Sequence, residues 1–342
     1  MMTTAFPTRS TLAPCAALVA LLLPLAELKS QVVRSDSARY TCTQPTGGDA
    51  NRPHPVCEIK PVITRGPYLS APTDTSATIT WMTDLPSHSK VIYGSGNALD
   101  REAVPLRHGM TMVGTLHSVR LTGLRPGRTY QYKLVSTPVL ELNSYWSKKG
   151  RELQSETHSF STFDARRPTV SFVSISDTHE SIPRIDSIMR KIDWSATDFL
   201  VHTGDAFNGS TSETQLWEKW LDPMIKGGLG SSKPLIFARG NHDTRGSFAR
   251  EIERYVPIEE GRFYYTRDVG PVHLLIIDTG EDKPDSTQVY ARLILVIAGH
   301  THRYSLTPAG SASGNTYPIL TVGQGAAGQG PCDDDGNSRH GC

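Results

Sequence analysis

Hydrophobic and polar residues alternate in short runs through residues 61–163, with the period of half-buried β-strands. In the run SATITWMT, the apolar residues Ala77, Ile79 and Trp81 fall on one face. The run RTYQYKLVS repeats the pattern with two tyrosines and a leucine. Because turn residues separate these runs, this part of the chain is predicted to be a small all-β sandwich domain.

The segment LRPGRTY, Leu124 to Tyr130, has the composition of a tyrosine corner. In such a corner a tyrosine hydroxyl bonds to the backbone a few residues upstream and pins the start of a strand. The predicted sandwich therefore resembles the fibronectin type III-like fold.

In residues 164–342 the pattern changes to short apolar runs that alternate with helical stripes. The runs TVSFVSI, DFLVHT, KPLIFA, VHLLIID and LILVIA are typical of strands buried on both faces. Helical spacing places apolar residues on one face at Ile185, Ile188, Met189 and Ile192, and again at Trp217, Trp220, Leu221 and Met224. The second domain is therefore predicted to be α/β layered, with a β-sheet sandwich flanked by helices.

Four of the five predicted strands end in residues that can bind a metal ion. In chain order the clusters supply Asp177 and His179, then Asp205, then Asn241, His242 and Asp243, and finally His300 and His302. Because sites in layered α/β sheets form at the carboxyl ends of the strands, we expect the four clusters to converge. Carboxylate, amide and imidazole ligands suit Mn, Fe, Co or Zn, and the absence of cysteine argues against a closed structural zinc site.

The first thirty residues are predicted to be an export signal. Arg9 precedes LAPCAALVALLLPLA, an apolar run of 15 residues that fits a signal-peptide core and is short for a membrane span. After removal of residues 1–30 no stable membrane span is expected, and the mature chain is expected to be secreted or periplasmic. The formal net charge of +1 gives no electrostatic footprint for nucleic acid, and the sequence indicates no oligomeric state.

Four cysteines follow residue 30, one close pair at each end of the mature chain. In an oxidising compartment, Cys42 and Cys57 would staple the N-terminal extension, residues 31–60, and Cys332 and Cys342 would form a second local disulfide. Reduced, unpaired thiols are the alternative.

The motifs SDTH, GDAFN, GNHD and GHTH, in this order, resemble the calcineurin-like metallophosphoesterases. The sandwich ahead of them resembles the N-terminal domain of the purple acid phosphatase-like members. The resemblance implies hydrolysis of phosphomonoesters or phosphodiesters at a pair of divalent or trivalent metal ions, with Fe, Mn or Zn as the expected metals. It also implies a role for each residue of the four clusters: Asp177, His179 and His302 on one ion, Asn241 and His300 on the other, Asp205 bridging both, and His242, oriented by Asp243, as the acid or phosphate-binding residue.

Two departures from this family pattern affect the expected site. Purple members carry a tyrosine three residues after the bridging aspartate, where this chain has Asn208, so the site resembles the colourless Mn, Fe or Zn relatives. Relatives also supply one more histidine from a strand and loop between the GNHD and GHTH motifs. Here only fourteen residues separate Asp278 from Leu293, and His273 lies too far back on its strand to replace that histidine.

The domain is thus expected to be shortened before its last metal motif. Glu281, Asp282 or Asp285 would have to substitute for the histidine, or the second metal would bind weakly. The alternative function is a non-catalytic, secreted binding protein that lacks a complete second metal site.

Overall fold

The computed structural model describes residues 40–44, 54–96, 98–258 and 262–278, together with the backbone of three strands near the C-terminus. In the described part of the chain, twelve strands precede residue 164. They are β1 Cys42–Thr43, β2 Val56–Cys57, β3 Ile63–Ser70, β4 Ala77–Ser95, β5 Arg101–Ala103, β6 Leu106–Arg107, β7 Met110–Thr111, β8 Val113–Leu121, β9 Thr129–Leu142, β10 Ser147–Gly150, β11 Leu153–Gln154 and β12 His158–Ser161.

The long strand β4 joins the two sheets of the sandwich. Its first part pairs antiparallel with β3 and β8, and its second part pairs with β9 and β5. The register breaks between Met82 and Ser87, around Pro86, because proline cannot donate a hydrogen bond to a neighbouring strand. The predicted all-β sandwich is confirmed, and Ala77, Ile79 and Trp81 lie in its core as the alternation indicated.

The tyrosine corner and the N-terminal disulfide are both present. The hydroxyl of Tyr130 accepts a hydrogen bond from the backbone N–H of Arg125 at 2.8 Å, and the tyrosine ring is buried. Cys42 and Cys57 form a disulfide that joins the paired strands β1 and β2. The second predicted disulfide, Cys332 to Cys342, and the predicted signal, residues 1–30, lie outside the described residues.

The second domain contains strands β13 Phe172–Ile175, β14 Phe199–His202, β15 Pro234–Phe237, β16 Tyr265–Val269, β17 Val272–Ile276, β18 Val296–Ala298, β19 Ser305–Thr307 and β20 Ile319–Thr321. Its helices are α1 Ile182–Met189, α2 Glu213–Leu216, a π-helical turn Trp217–Leu221, α3 Asp222–Lys226, and the 3₁₀ helices His242–Thr244 and Ala249–Arg254. Strands β13, β14 and β15 are parallel, with β14 in the middle.

Different structural layers cover the two faces of this parallel sheet. On one face, Leu200 and Leu235 pack with the residues of the two predicted helical stripes. On the other face, Phe199, Val201 and Ile236 pack against the antiparallel hairpin β16–β17. The predicted α/β layered arrangement is therefore confirmed, with helices on one side and a second sheet on the other.

The run VHLLIID does not form a strand buried on both faces as predicted. It forms β17, which packs on the parallel sheet through Leu274 and Ile276. Leu275, which lies between them, remains partly exposed. The run TVSFVSI forms β13, the last strand in the sheet order, and only Ile175 of β13 is fully buried. Among the predicted runs whose burial the structure describes, β14 and β15 form the strands buried at every position, and each has a neighbouring strand on both sides.

The two domains share one continuous sheet. Strand β3 of the sandwich pairs parallel with β15, placing Leu69 opposite Pro234. Arg65 of β3 forms an ion pair with Asp222 of α3, and the hydroxyl of Tyr132 donates to the carbonyl oxygen of Ser231 at 2.8 Å. These contacts fix the sandwich against the layer that carries the candidate site.

Candidate metal centre

Three loops at the carboxyl ends of β13, β14 and β15 meet at one edge of the parallel sheet. They carry the SDTH, GDAFN and GNHD motifs. The potential ligand atoms of His179, Asp205 and His242 all lie within 4.8 Å of one another. The predicted convergence of the first three clusters is thus seen in the structure, whereas His300 and His302 lie outside the described residues.

Backbone hydrogen bonds tie the first loop to the second. Asp177 N–H donates to the carbonyl oxygen of Gly204 at 3.1 Å, and His179 N–H donates to that of Asp205 at 3.1 Å. Glu180 N–H continues the series to the carbonyl oxygen of Ala206 at 3.0 Å. The two loops therefore run side by side, and their side chains project from a paired backbone.

Left-handed backbone conformations are concentrated in these loops. The φ angles are 52° at Asp177, 42° at His179, 66° at Glu180 and 54° at Asp205. Non-glycine residues rarely adopt such angles, which cost about 1–3 kcal/mol each and persist only where the surroundings impose them. Their clustering at the ligand loops indicates that side-chain direction, rather than local stability, determines the conformation.

Asp243 is a buried anchor for the second and third loops. Its carboxylate accepts hydrogen bonds from the backbone N–H groups of Asp205, Ala206 and Gly240, all at 2.9 Å. Burial raises the pKa of Asp243 to about 7, the charge of Asp205 adds to this effect, and the three amide donors oppose it. Through these bonds Asp243 holds the backbone of both loops. The prediction that Asp243 also orients the imidazole of His242 stays a prediction.

Gly240 allows the third loop to approach the second. A Cβ atom at this position would lie 2.3 Å from Asp205 Oδ1 and 2.5 Å from Asp205 N, distances that side-chain carbons do not tolerate. The neighbouring N–H of His242 donates to Asp205 Oδ1 at 3.0 Å. The position of the Asp205 carboxylate therefore depends on a glycine in the facing loop.

His242 contacts the second loop and Arg245. Its Nδ1 lies 3.0 Å from the carbonyl oxygen of Asn208, which can only accept a hydrogen bond. Nη1 of the half-buried Arg245 lies 3.0 Å from both Nδ1 and Nε2 of the same ring. The ring meets that of His179 edge to face at 4.8 Å between centroids. This geometry suits His242 as a metal ligand as well as the acid or phosphate-binding residue predicted from the sequence.

The remaining predicted residues surround this group. Asp177 is fully buried, with Oδ1 3.9 Å from Nε2 of His179, and its carboxylate accepts a hydrogen bond from Ser176. Asn241 precedes the 3₁₀ helix that begins at His242, and its carbonyl oxygen accepts from Thr244. His273, which was predicted to lie away from the site, forms a surface pair with Asp268 across the β16–β17 hairpin at 2.5 Å.

The donor set fits a metal ion of the predicted kind. Two imidazoles and a carboxylate within 4.8 Å, with a second buried carboxylate on the adjoining loop, match the ligand preferences of Mn, Fe, Co and Zn. The closeness of two aspartates and two histidines at a sheet edge is also costly unless a cation compensates the negative charge.

His202 and Thr178 support the site and were not predicted from the sequence. His202 is the last residue of β14 and is fully buried, and Thr178 lies between the two predicted ligands of the first motif. The feature of the sequence that could have identified His202 is a single histidine at the end of an otherwise apolar strand, two residues before Gly204.

Two family models match the chain. Residues 65–162 match the purple acid phosphatase N-terminal domain, and residues 170–281 match the calcineurin-like phosphoesterase domain. The fold and the site thus define a calcineurin-like phosphoesterase domain behind a β-sandwich. A domain that matches the N-terminal domain of purple acid phosphatases precedes it in the chain.

Curated relatives include acid phosphatase type 7 of mouse and of human. The mouse protein is 26% identical over 227 residues, covering 62% of this chain and 47% of the relative. The human protein is 26% identical over 231 residues, with 62% and 48% covered. The chain therefore spans about half the length of these relatives.

A solved structure shows the same fold. The purple acid phosphatase PPD1 from yellow lupin (Lupinus luteus) seeds superposes with a TM-score of 0.58 at 17% identity, covering 76% of this chain and 64% of the lupin chain. Within the described residues of this chain, no helix combines the length and apolar composition needed to cross a membrane.

Proposed function

We propose that this chain is a metal-dependent phosphoesterase that hydrolyses phosphomonoesters or phosphodiesters. The observation that carries the proposal is the convergence of His179, Asp205 and His242 from three separate loops, with ligand atoms within 4.8 Å. The names of the relatives, acid phosphatase and purple acid phosphatase, support the reaction class.

The proposed centre holds two metal ions. Asp177, His179 and His302 would hold one ion, Asn241 and His300 would hold the other, and Asp205 would contact both. When bound, the ions supply the positive charge that a phosphoryl group and an attacking water require. Asp243 and Gly240 maintain the loop spacing on which this arrangement depends.

His242 and Arg245 are proposed to act on the substrate side of the centre. The Nδ1 of His242 faces the carbonyl oxygen of Asn208, and Nε2 is the nitrogen proposed to exchange a proton with the leaving oxygen. Arg245 lies against the same ring and can present a guanidinium to a non-bridging phosphate oxygen. A guanidinium that serves only to pack against His242 is the alternative for Arg245.

Hydrolysis of an aryl phosphate by the purified chain, after reconstitution with Mn, Fe or Zn, tests the proposal. The matched control is Asp205→Asn, because its amide oxygen can still accept the N–H of His242 while the negative charge is lost. Metal-dependent turnover that disappears in Asp205→Asn and after chelation is expected. Turnover that persists in both would overturn the proposal.

A non-catalytic, metal-retaining binding protein is the second candidate. The observation that favours it is the segment of only fourteen residues between Asp278 and Leu293, where relatives place a further histidine. A folded chain that takes up metal in calorimetry and yet hydrolyses neither an aryl phosphate nor a bis-aryl phosphate would establish this candidate instead.

We also propose that the protein is exported. The disulfide between Cys42 and Cys57 suits an oxidising compartment, and the apolar N-terminal run suits a signal. Expression of the full chain should place an oxidised, N-terminally cleaved form outside the cytoplasm. Retention of an uncleaved, reduced chain inside would contradict the proposal.

A further inference from the structure

The imidazole of His202 lies beneath the two loops that carry the first ligands. Its Nδ1 is 3.2 Å from the backbone N of Gly204, which can only donate, so Nδ1 is the unprotonated nitrogen. Its Nε2 therefore bears the proton and donates to Oγ1 of Thr178 at 3.1 Å. Thr178 Oγ1 in turn lies 3.4 Å from the carbonyl oxygen of Ala206. One ring thus connects both loops through side-chain bonds.

Packing fixes the orientation of this ring. Trp220 meets it edge to face at 5.4 Å between centroids, and Phe237 lies at 5.9 Å. His202 is fully buried, and burial lowers its pKa to about 3. The ring is therefore neutral at ordinary pH, and each nitrogen keeps a single role as acceptor or donor.

The two ends of the connection are adjacent to the predicted ligands. Gly204 immediately precedes Asp205, and Thr178 lies between Asp177 and His179. Backbone hydrogen bonds also join the two loops, and His202 adds side-chain bonds from a fully buried position. A change at His202 would alter the distance between the two ligand loops without removing any ligand.

We propose that His202 is a positioning residue that sets the spacing of the Asp177–His179 and Asp205 loops and thereby the metal affinity of the site. This inference rests on the proposed metal-dependent function. It concerns binding of the metal alone, and it can be tested without measuring turnover. Residues that orient metal ligands in this way typically change metal affinity by about 10–100-fold when they are replaced.

The experiment is calorimetric titration of Mn²⁺ or Zn²⁺ into the full chain and its variants at pH 7. His202→Phe keeps a ring between Trp220 and Phe237 but removes both hydrogen bonds. We expect this variant to bind the metal about 10–100-fold more weakly than the wild type. His202→Asn places an amide oxygen where Nδ1 accepts from Gly204, so it should recover part of the lost affinity.

Thr178→Val tests the other end of the connection and replaces a threonine by a residue of similar shape. It should weaken metal binding alone. In a His202→Phe background it should add only the smaller effect of losing the 3.4 Å contact with Ala206, because the bond to His202 is already lost. This variant also keeps the inference testable should His202→Phe fail to fold.

Trp220→Phe is the matched packing control. The Nε1 of Trp220 has no hydrogen-bond partner within the described part of the chain, so this change disturbs packing against His202 without breaking a bond. It should lower thermal stability and leave the metal affinity close to that of the wild type. A merely structural role for His202 predicts the same behaviour for His202→Phe.

Three outcomes distinguish failure of this inference from failure of the proposed function. If the wild type binds metal and the folded His202→Phe and Thr178→Val variants bind it equally tightly, the positioning role is overturned and the proposed function stands. If the wild type binds no metal, both the proposed function and this inference are overturned. If the wild type binds metal without turnover and His202→Phe weakens binding, the inference holds although the enzymatic proposal fails.

Discussion

Acid should destabilise the sandwich domain through His117. This residue of β8 is only 4% exposed, and its Nε2 lies 2.8 Å from Oγ1 of Thr83. Because Thr83 Oγ1 donates to the carbonyl oxygen of Leu85, it accepts from the ring, so Nε2 carries a proton. The ring also packs against Trp81 at 5.1 Å between centroids. Burial lowers the pKa of His117 from 6.5 to about 4.

The sign and size of the effect follow from this shift. Above pH 6.5 the histidine is neutral in both the folded and the unfolded chain, so it adds no pH dependence. As the pH falls from 6.5 towards 4, the unfolded chain binds a proton that the folded chain does not bind, and stability is lost. At pH 5 the loss relative to pH 7 is about 2 kcal/mol, which is a large part of the stability of an ordinary domain.

Urea unfolding at pH 7 and pH 5, with hydrogen exchange of the Val113–Leu121 amides to locate the transition, measures this loss. His117→Gln is the informative variant, since its amide can still donate to Thr83 but does not titrate. Wild type should lose about 2 kcal/mol more than His117→Gln between the two pH values. His108→Asn, at an exposed hairpin tip with a φ of 52°, should lose as much as wild type. Equal losses in wild type and His117→Gln would refute the reasoning.

Three further substitutions test the loops and the sandwich separately. Gly240→Ala should weaken metal binding at least about tenfold in calorimetry, because the new methyl group displaces Asp205, whereas Gly209→Ala, whose Cβ meets no atom closer than 3.7 Å, should not. Asp243→Asn should cost about 2 kcal/mol in urea unfolding, since its NH₂ group would face a backbone donor; an unchanged midpoint would contradict this. Tyr130→Phe should cost about 1 kcal/mol through the lost corner bond and leave metal affinity unchanged.

Periodicity was sufficient to predict the main elements of the fold. The alternating run that ends in Trp81 and the helical stripe that begins at Trp217 both become core, as their spacing indicated. Each pattern reports local burial directly, because side chains repeat every two residues in a strand and about every 3.6 in a helix. The stripe even tolerates a π-helical turn at Trp217–Leu221, since those apolar residues still point inwards.

Periodicity failed where burial depends on sheet order. The run VHLLIID was predicted to be buried on both faces, yet β17 is one strand of a hairpin that covers the parallel sheet with one face. Nothing in a short apolar run specifies how many layers will cover it. Ile192 likewise continues the helical spacing of α1, although the helix ends at Met189.

The sequence predicted the residue types of the candidate site. It did not predict the backbone conformation of the loops or the residues that hold them in place. The motifs predicted Asp177, His179, Asp205 and His242 as site residues, because carboxylates and imidazoles that follow buried strands can be recognised in the sequence. The left-handed backbone at three of these residues was not predicted, because aspartate and histidine adopt a positive φ more often than most residues but still only in a minority of cases. His202 was predicted only as part of an apolar strand, because its role arises only when two loops meet above it.

The groups that bond to the two ligand loops also explain how the strained backbone of these loops can persist. Several left-handed residues in two adjoining loops would together cost several kcal/mol. The compensating bonds come mainly from groups that are not predicted ligands: backbone carbonyls of the second loop, the carboxylate of Asp243 and the ring of His202. Ligand direction is therefore set by the protein framework, and the ligands need little rearrangement to bind a metal ion. It follows that substitutions of the residues that hold the loops should change metal affinity in graded steps, whereas substitution of Asp205 should remove the charge that is proposed to bridge the two ions.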